Sequence, residues 1–215
     1  MSNNKIKRYG KSVIETEISG VKKLFETIDS NFVKVINKLS NIKGKVVITG
    51  VGKSGHIASK ISSTMSSTGT PSQFCSPTDM SHGDLGIITK QDALIIISNS
   101  GKSSEFKSLL DFSKKNEILV IGITSSAKST LFKSCNIPLL IPNSKEACSI
   151  GLAPTTSTTL ALILGDAICV SLMKVKNFKL QDYKKIHPGG ALGANMLQVE
   201  DIMHTGKKMP IVSEE

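Results

Sequence analysis

Short runs of consecutive apolar residues alternate along this chain with longer amphipathic segments. The runs at 46–49, 93–97, 118–123 and 137–141 have strand length and contain almost no polar residues, which is typical of strands buried on both faces. Residues 71–75 add a candidate edge strand. Strands that alternate with helices predict an α/β fold, a doubly wound and mainly parallel five-stranded sheet with helices on both faces. In such sheets ligands bind beyond the carboxyl ends of the strands.

The helical segments lie at both ends of this pattern and between its strands. Apolar residues at every third or fourth position from Ile14 to Leu39 predict one long amphipathic helix over residues 12–40. Its apolar stripe fits an interface between protomers and packing on its own sheet equally well. A second helix should end near Thr68, a further helix follows 98–105, and a short helix lies between the last two strands. A more apolar helix should span about 156–174. Beyond this helix, residues 189–199 are predicted to form an arm that contacts a partner chain.

Composition and charge narrow the class of protein. The 215 residues are 39% hydrophobic, which suits one globular domain, and the net charge is +10. Arg8 is the single arginine, there is no tryptophan, and the lysines are scattered. Nucleic-acid readout relies on arginine forks and interleaved aromatics, so a lysine-rich surface that attracts anionic metabolites fits better. A polar N-terminus, no apolar run of about 20 residues and four cysteines without a CxxC pair predict a cytoplasmic protein without a membrane partner.

The sequence GVGKSG at 50–55 follows the first strand and opens a helix. It matches the dinucleotide fingerprint, but that site needs an acidic residue about 20 positions on, and 70–76 contain none. A triphosphate loop would need glycine where Val47 stands. Two interpretations remain open: a monophosphate or sugar site that uses Gly50, Ser54 and backbone N–H groups, and a tight strand–helix turn.

The sequence SNSGKSSE at 98–105 lies between a strand end and a helix start. Four hydroxyls surround Gly101, at Ser98, Ser100, Ser103 and Ser104. Hydroxyls and free N–H groups at a helix start can bind a phosphate without a metal, whereas helix capping would explain only one of these serines. This loop predicts a phosphate anchor.

Further blocks extend the pattern: HGDLG at 82–86, KEAC at 145–148, GLAPTTSTT at 151–159 and HPGGALG at 187–193. With the two loops, they resemble in order the D-arabinose 5-phosphate isomerases of the sugar isomerase (SIS) domain family, over about residues 10–205. The resemblance implies a cytoplasmic bacterial homotetramer that interconverts D-ribulose 5-phosphate and D-arabinose 5-phosphate for Kdo sugar in lipopolysaccharide or capsules. It implies three parts: a helical segment at 1–44, the SIS domain at 45–197, and the start of a CBS regulatory module at 198–215.

The same resemblance assigns site residues. The implied catalytic residues are Lys53, Glu105, Glu146 and His187. The predicted substrate contacts are residues of the loop at 50–55, three residues that follow it, and residues of the loop at 98–105. They are Gly50 and Ser54, then Gly69, Thr70 and His82, and then Ser98, Asn99, Ser100, Gly101, Ser103 and Ser104. Some relatives carry a metal-binding histidine near Ser76, so the serine here predicts no metal, and no cofactor is expected.

Aldose–ketose isomerisation needs a base, a cation on the oxygens and a phosphate anchor. Lys53 is the natural cation, although it could be a solvated surface lysine. Glu146 is expected to be the base, with a pKa raised towards neutrality by partial burial, against the alternative of a surface ion pair with Lys145. Glu105 could support acid–base chemistry or cap its helix, and His187 suits opening of the sugar ring. Two other functions stay open, a non-catalytic phosphosugar sensor and an isomerase for another sugar phosphate.

Overall fold

A computed structural model describes residues 2–188 together with Met203, His204, Gly206 and Met209. The chain divides into two compact units, Met1–Asn177 and Phe178–Glu215, and each is described by itself. The expected arm at 189–199 and nearly all of the expected module start at 198–215 lie outside the described residues. The three-part domain division stays a prediction.

The first unit is built on one sheet. Its strands are β1 (Val46–Gly50), β2 (Ser72–Phe74), β3 (Ala93–Ile97), β4 (Leu119–Thr124) and β5 (Ile137–Leu140). They lie in the order β2-β1-β3-β4-β5, and every pair is parallel. The predicted five-stranded α/β sheet is confirmed, and it is parallel throughout. The strand order reverses between β1 and β3, so the loops that follow these two strands flank the crevice where such sheets bind ligands.

Helices cover both faces of the sheet. The helices of the first unit are α1 (Asn3–Phe25), α2 (Ser30–Ser40), α3 (Lys53–Ser67), α4 (Pro77–Ser81), α5 (Lys107–Lys115), α6 (Thr130–Ser134) and α7 (Thr156–Val175), and the second unit contains α8 (Leu180–Ile186). Two 3-10 turns occupy Asp84–Ile87 and Ser104–Phe106. Alternate residues of a strand face opposite sides, so Ile48 and Ile95 pack with α2, α3 and α7, whereas Val47 and Leu94 pack with α4, α5 and α6.

The prediction of one helix over 12–40 is wrong, because the chain forms α1 and α2 with a break between them. The Asp29 carboxylate accepts hydrogen bonds from the N–H groups of Asn31 (2.8 Å) and Phe32 (3.3 Å). Such an N-cap satisfies donors that a starting helix leaves open. The break therefore lies where a local capping residue competes with the apolar periodicity.

The apolar stripe of α1 does not pack on the sheet. Ile14, Ile18 and Phe25 are exposed, with 77% of Phe25 accessible, whereas α1 buries Gly20 and Leu24. A Cβ on Gly20 would lie 2.9 Å from Thr156 Cγ2, so the glycine permits close packing of α1 on the start of α7. Packing on its own sheet is therefore wrong for the α1 part of the predicted stripe, whereas Phe32, Ile36 and Leu39 on α2 do pack in the core beside the sheet.

Helix α7 is 20 residues long and apolar enough, by length and composition alone, to cross a membrane. The expectation that no such run exists is therefore wrong. The helix lies against α3 in the core, and its buried stripe includes Leu160, Leu164, Ile168 and Leu172. A spacing of four places these residues on one face, as in a core helix of a globular domain.

Helices α3 and α7 run parallel and in register. A Cβ on Gly165 would lie 2.3 Å from Ile61 Cδ1, Lys60 pairs with Asp166 at 2.5 Å, and Lys176 Nζ donates to Thr70 Oγ1 at 2.8 Å. Since both helices begin at the carboxyl edge of the sheet, their first turns lie level there, with axes about 8–10 Å apart.

Candidate functional site

Most of the predicted site residues lie at the carboxyl edge of the sheet. The loop after β1 carries Lys53, the loop after β2 carries His82, the loop after β3 carries the serines and Glu105, and the loop after β5 carries Glu146. His82 is exposed and follows α4 directly. The parallel sheet is what brings these loops to one edge, because all strand ends point the same way.

Close backbone packing shapes the glycine loop. A Cβ on Gly50 would lie 2.9 Å from the backbone of Ser54, and one on Gly55 would lie 2.6 Å from the carbonyl oxygen of Gly50. These glycines let α3 start directly above the end of β1. Lys53 is the first residue of α3 and is exposed. A cation at a helix N-terminus opposes the helix dipole, so folding alone does not favour a lysine at this position.

Internal hydrogen bonds hold the backbone of the serine loop (the SNSGKSSE segment) in place. The carbonyl oxygen of Asn99 accepts from Ser125 N (3.0 Å), Thr124 Oγ1 (3.0 Å) and Ser125 Oγ (2.9 Å). The hydroxyl of Ser98 is buried and accepts from Gly101 N at 3.1 Å. The Ser98 hydroxyl and the Gly101 N–H therefore hold the loop together, and the sequence pattern did not separate this role from phosphate binding.

The outer half of the same loop is open. Among the described residues, Ser100 Oγ makes a single long contact, of 3.4 Å, with Lys102 N. Ser103 precedes the 3-10 turn without capping it through its side chain. Within the described chain, the hydroxyls of Ser103 and Ser104 have no hydrogen-bond partner. Beside them lies a depression of about 190 Å³, to which Lys102 and Lys107 also contribute. This half of the loop can bind an anion.

Glu146 caps the start of α7. Its Oε2 accepts from the Thr155 N–H (2.8 Å), the Thr155 hydroxyl (3.1 Å) and the Ser157 N–H (3.2 Å). Neither Thr155 nor Ser157 was singled out from the sequence. The signal was the polar run TTSTT at 155–159, which places several donors at a helix start.

These bonds decide the charge of Glu146. Burial raises its pKa, but hydrogen bonds from Ser157 and Thr155 together outweigh burial and hold the pKa below its ordinary value. The expectation of a pKa raised towards neutrality is therefore wrong. Donors to a carboxylate favour its charged form, so Glu146 is a carboxylate at neutral pH. The alternative of an ion pair with Lys145 also fails, since Glu146 makes no such pair in the described structure.

Glu105 contrasts with Glu146. It is exposed in the 3-10 turn, and its carboxylate has no hydrogen-bond or ion-pair partner among the described residues. Capping does not account for it. Among the described residues, the edge thus carries the fixed carboxylate of Glu146 and the unpaired side chains of Glu105 and Lys53, with the α3 and α7 starts side by side.

Three predicted residues are not brought to this edge within the first unit. Gly69 and Thr70 precede β2, at the amino edge of the sheet, and Thr70 is fully buried with its hydroxyl bonded to Lys176. His187 belongs to the second unit, where its ring stacks on Tyr183 with centroids 3.7 Å apart and its Nδ1 lies 2.9 Å from the Tyr183 carbonyl oxygen. The roles of these three residues stay predictions.

A cavity of about 720 Å³ lies away from these loops. It is formed by the end of α5, the start of β4 and the end of α6. The carboxyl edge is by contrast an open surface with a small depression.

The fold, the strand order and the two loops define an α/β domain whose ligand crevice lies at the carboxyl edge of a parallel sheet. The SIS domain model matches residues 38–171, and the chain belongs to the SIS domain family. It is similar to the arabinose 5-phosphate isomerase KdsD of Yersinia pestis, with 46% identity over 96% of this chain and 63% of that protein. The KdsD of Francisella tularensis is 49% identical over 91% of this chain and 61% of its own length. This chain therefore spans 61–63% of the length of these curated relatives.

A solved structure gives the same result at the level of the fold. The chain superposes on Escherichia coli CFT073 c3406 in complex with arabinose 5-phosphate, with a TM-score of 0.84 and 40% identity. The match covers 87% of this chain and all of that chain.

The packing of Gly101 yields a stability prediction. Gly101 has a φ of +63°, and an added Cβ would lie 2.4 Å from Ser129 Oγ, which caps α6. Gly101→Ala should therefore cost the left-handed strain of about 1–2 kcal/mol and, in addition, about 1 kcal/mol from the disturbed cap. Gly151 is the matched control, because its φ is +69° but its Cβ would meet open space. Urea unfolding of both variants is the measurement, and equal losses would contradict the packing argument.

Proposed function

We propose that this protein interconverts D-ribulose 5-phosphate and D-arabinose 5-phosphate through an enediolate. The observation that carries the proposal is the meeting of a cation, a fixed carboxylate and an open serine loop at one edge of the sheet. The names of the curated relatives and the arabinose 5-phosphate bound to the Escherichia coli neighbour support the choice of substrate.

The reaction moves one proton between neighbouring carbons. In the direction from ketose to aldose, a base removes a proton from C1 of ribulose 5-phosphate, and the electron pair of that C–H bond forms the C1–C2 double bond of the enediolate. The C2 oxygen takes up the negative charge. Return of the proton to C2, with transfer of the hydroxyl proton from O1 to O2, gives the aldose. No oxidant or reductant is consumed.

The residues divide these tasks. Glu146 is the base, since its carboxylate is ionised and oriented, and Oε2 carries all three hydrogen bonds while Oε1 accepts none in the described chain. Lys53 stabilises the enediolate oxygens. Ser100, Ser103 and Ser104 bind the phosphate.

Three further residues complete the proposed site. Glu105 moves protons between the substrate oxygens, which suits its free and exposed carboxylate. His187 opens the sugar ring. His82 contacts the substrate from the loop after β2.

The wider setting is also part of the proposal. The protein is cytoplasmic and homotetrameric, its product enters Kdo synthesis for lipopolysaccharide or capsule, and residues from 198 begin a CBS module. The exposed apolar residues of α1 support an assembly, because an apolar stripe of this kind is usually covered by a partner.

The test is direct. Purified protein is mixed with ribulose 5-phosphate, and aldose formation is followed with and without prior treatment with a chelator. We expect arabinose 5-phosphate in both cases, since Lys53 and the serine loop supply the positive field. Restoration of a chelated, inactive enzyme by zinc or magnesium would overturn the metal-free mechanism. Turnover of a hexose or hexulose phosphate in preference to the pentose would reassign the substrate, and binding without turnover would indicate a sensor.

A further inference from the structure

Residues 146–155 form a loop, and hydrogen bonds made by Thr155 join its two ends. The Thr155 hydroxyl donates to Glu146 Oε2 at 3.1 Å and accepts from the Ala147 N–H at 2.9 Å. The Thr155 N–H donates to the same Oε2 at 2.8 Å. A hydroxyl has one proton to donate, and here it is directed at the carboxylate because the N–H of Ala147 approaches from the other side.

This arrangement fixes the orientation of the carboxylate. Two of the three hydrogen bonds to Oε2 come from Thr155, and the third comes from the N–H of Ser157. All three donors converge on Oε2, which leaves Oε1 without a hydrogen bond among the described residues. Proton transfer requires a base held within hydrogen-bond reach of the substrate, and a carboxylate free to rotate would satisfy this only part of the time.

We propose that Thr155 is the positioning residue of this site: its side-chain hydroxyl holds the Glu146 carboxylate so that Oε1 stays free to take the substrate proton. The inference rests on the proposed function, in which Glu146 is the base. Thr155 acts through Glu146 and need not touch the substrate.

The electrostatics of the loop support this role. Burial raises the pKa of Glu146, and the hydrogen bonds from Ser157 and Thr155 lower it by more. Charged side chains at this place come from three elements: Glu15 and Lys23 on α1 line a depression together with Lys145, which precedes the loop, and Lys53 begins α3 at the same edge of the sheet. None of them is a cause of the shift, which is due to burial and hydrogen bonds alone. Loss of the Thr155 hydroxyl must therefore raise the pKa of Glu146.

The first experiment compares three variants of the full chain. Thr155→Val removes the hydroxyl but keeps the shape and the N–H, and Thr155→Ser keeps the hydroxyl. Thr158→Val is the matched control, since Thr158 Oγ1 donates to the Thr155 carbonyl oxygen at 2.8 Å and does not bond Glu146. For Thr155→Val we expect kcat to fall about 10-fold, KM to change less than about 3-fold, and the acid limb of the pH–kcat profile to move to higher pH.

Thr155→Ser should restore kcat and the position of the acid limb, and Thr158→Val should keep both. A Thr155→Val variant that unfolds at a lower temperature but keeps the wild-type acid limb would show a structural role only, and the proposal would fail.

A second measurement does not depend on activity. Carbon-13 labelling of glutamate carboxyls reports the pKa of Glu146 by NMR, with the resonance assigned by its absence in Glu146→Gln. The pKa should be higher in Thr155→Val than in wild type and should return in Thr155→Ser. If Thr155→Val does not fold, Thr155→Ala gives the same comparison. A wild-type chain without isomerase activity but with this pKa pattern would refute the proposed function alone, whereas an unchanged pKa in an active enzyme would refute the role of Thr155 alone.

Discussion

Replacement of Glu146 by glutamine is expected to lower turnover at least about 100-fold while substrate binding persists. Glutamine has nearly the same shape, and its carbonyl oxygen can still accept from the N–H groups of Thr155 and Ser157. The cap of α7 is therefore largely kept, but an amide cannot take a proton from carbon. The measurement is kcat and KM with ribulose 5-phosphate, and KM should change only a few-fold.

Two comparisons make this result specific. Glu117→Gln is the matched control, because Glu117 is an exposed carboxylate paired with Lys90 beyond the end of α5, and its loss should leave kcat unchanged. Glu105→Gln tests which glutamate moves the carbon-bound proton. In deuterated water, loss of Glu146 should abolish deuterium incorporation at C1 of the ketose, whereas loss of Glu105 should permit it. Continued incorporation in Glu146→Gln would remove Glu146 from the base role.

The stability of the same variant depends on pH with a defined sign. The pKa of Glu146 is lower in the folded chain than its value of about 4.3 in an unfolded one. Its contribution is therefore present above that unfolded value and is lost as the pH falls through the folded pKa. Glu146→Gln should be less stable than wild type at neutral pH, and the difference should shrink in acid.

The sheet could be predicted because its strands are continuous apolar runs. Residues 93–97 and 118–123 have no polar face, so they must be covered on both sides, and that requirement already implies a parallel α/β arrangement. The break at Asp29 was not predicted, because the apolar periodicity of the N-terminal segment continues through it. The chain nevertheless starts a new helix there, since the capping bonds of one side chain outweigh a pattern that is spread over many residues.

The site could be predicted only in part, since a sequence shows which donors are present but not where they point. The sequence alone does not distinguish the serines at 98–104 from one another. In the structure Ser98 turns inward to Gly101 N, whereas Ser103 and Ser104 stay open. The pKa of Glu146 was expected to rise with burial, and its direction reversed because Thr155 and Ser157 donate to the same oxygen. Such convergence depends on how the loop closes on α7, nine residues away along the chain.

His187 and Lys53 are expected to meet in a site shared between chains. His187 lies beyond α7 in a separate compact unit, and the predicted arm at 189–199 follows it outside the described residues. The exposed apolar residues of α1, such as Ile14 and Phe25, give the protomer a surface for assembly. We expect the His187 of one chain to serve the Lys53 of a neighbour in the proposed homotetramer.

The activity recovered by mixed oligomers tests this expectation quantitatively. Lys53→Ala and His187→Ala should each be nearly inactive alone. When the two are unfolded together in equal amounts and refolded, a shared site draws Lys53 from one chain and His187 from another at random. A site contains the wild-type Lys53 with a probability of about one half, and the same holds for His187. About one quarter of the sites should therefore hold both wild-type side chains. Activity should then recover to about one quarter of the wild-type level. If each chain builds its own site, every site keeps one defect whatever its neighbours, so mixed oligomers shown by mass spectrometry to have formed would remain inactive.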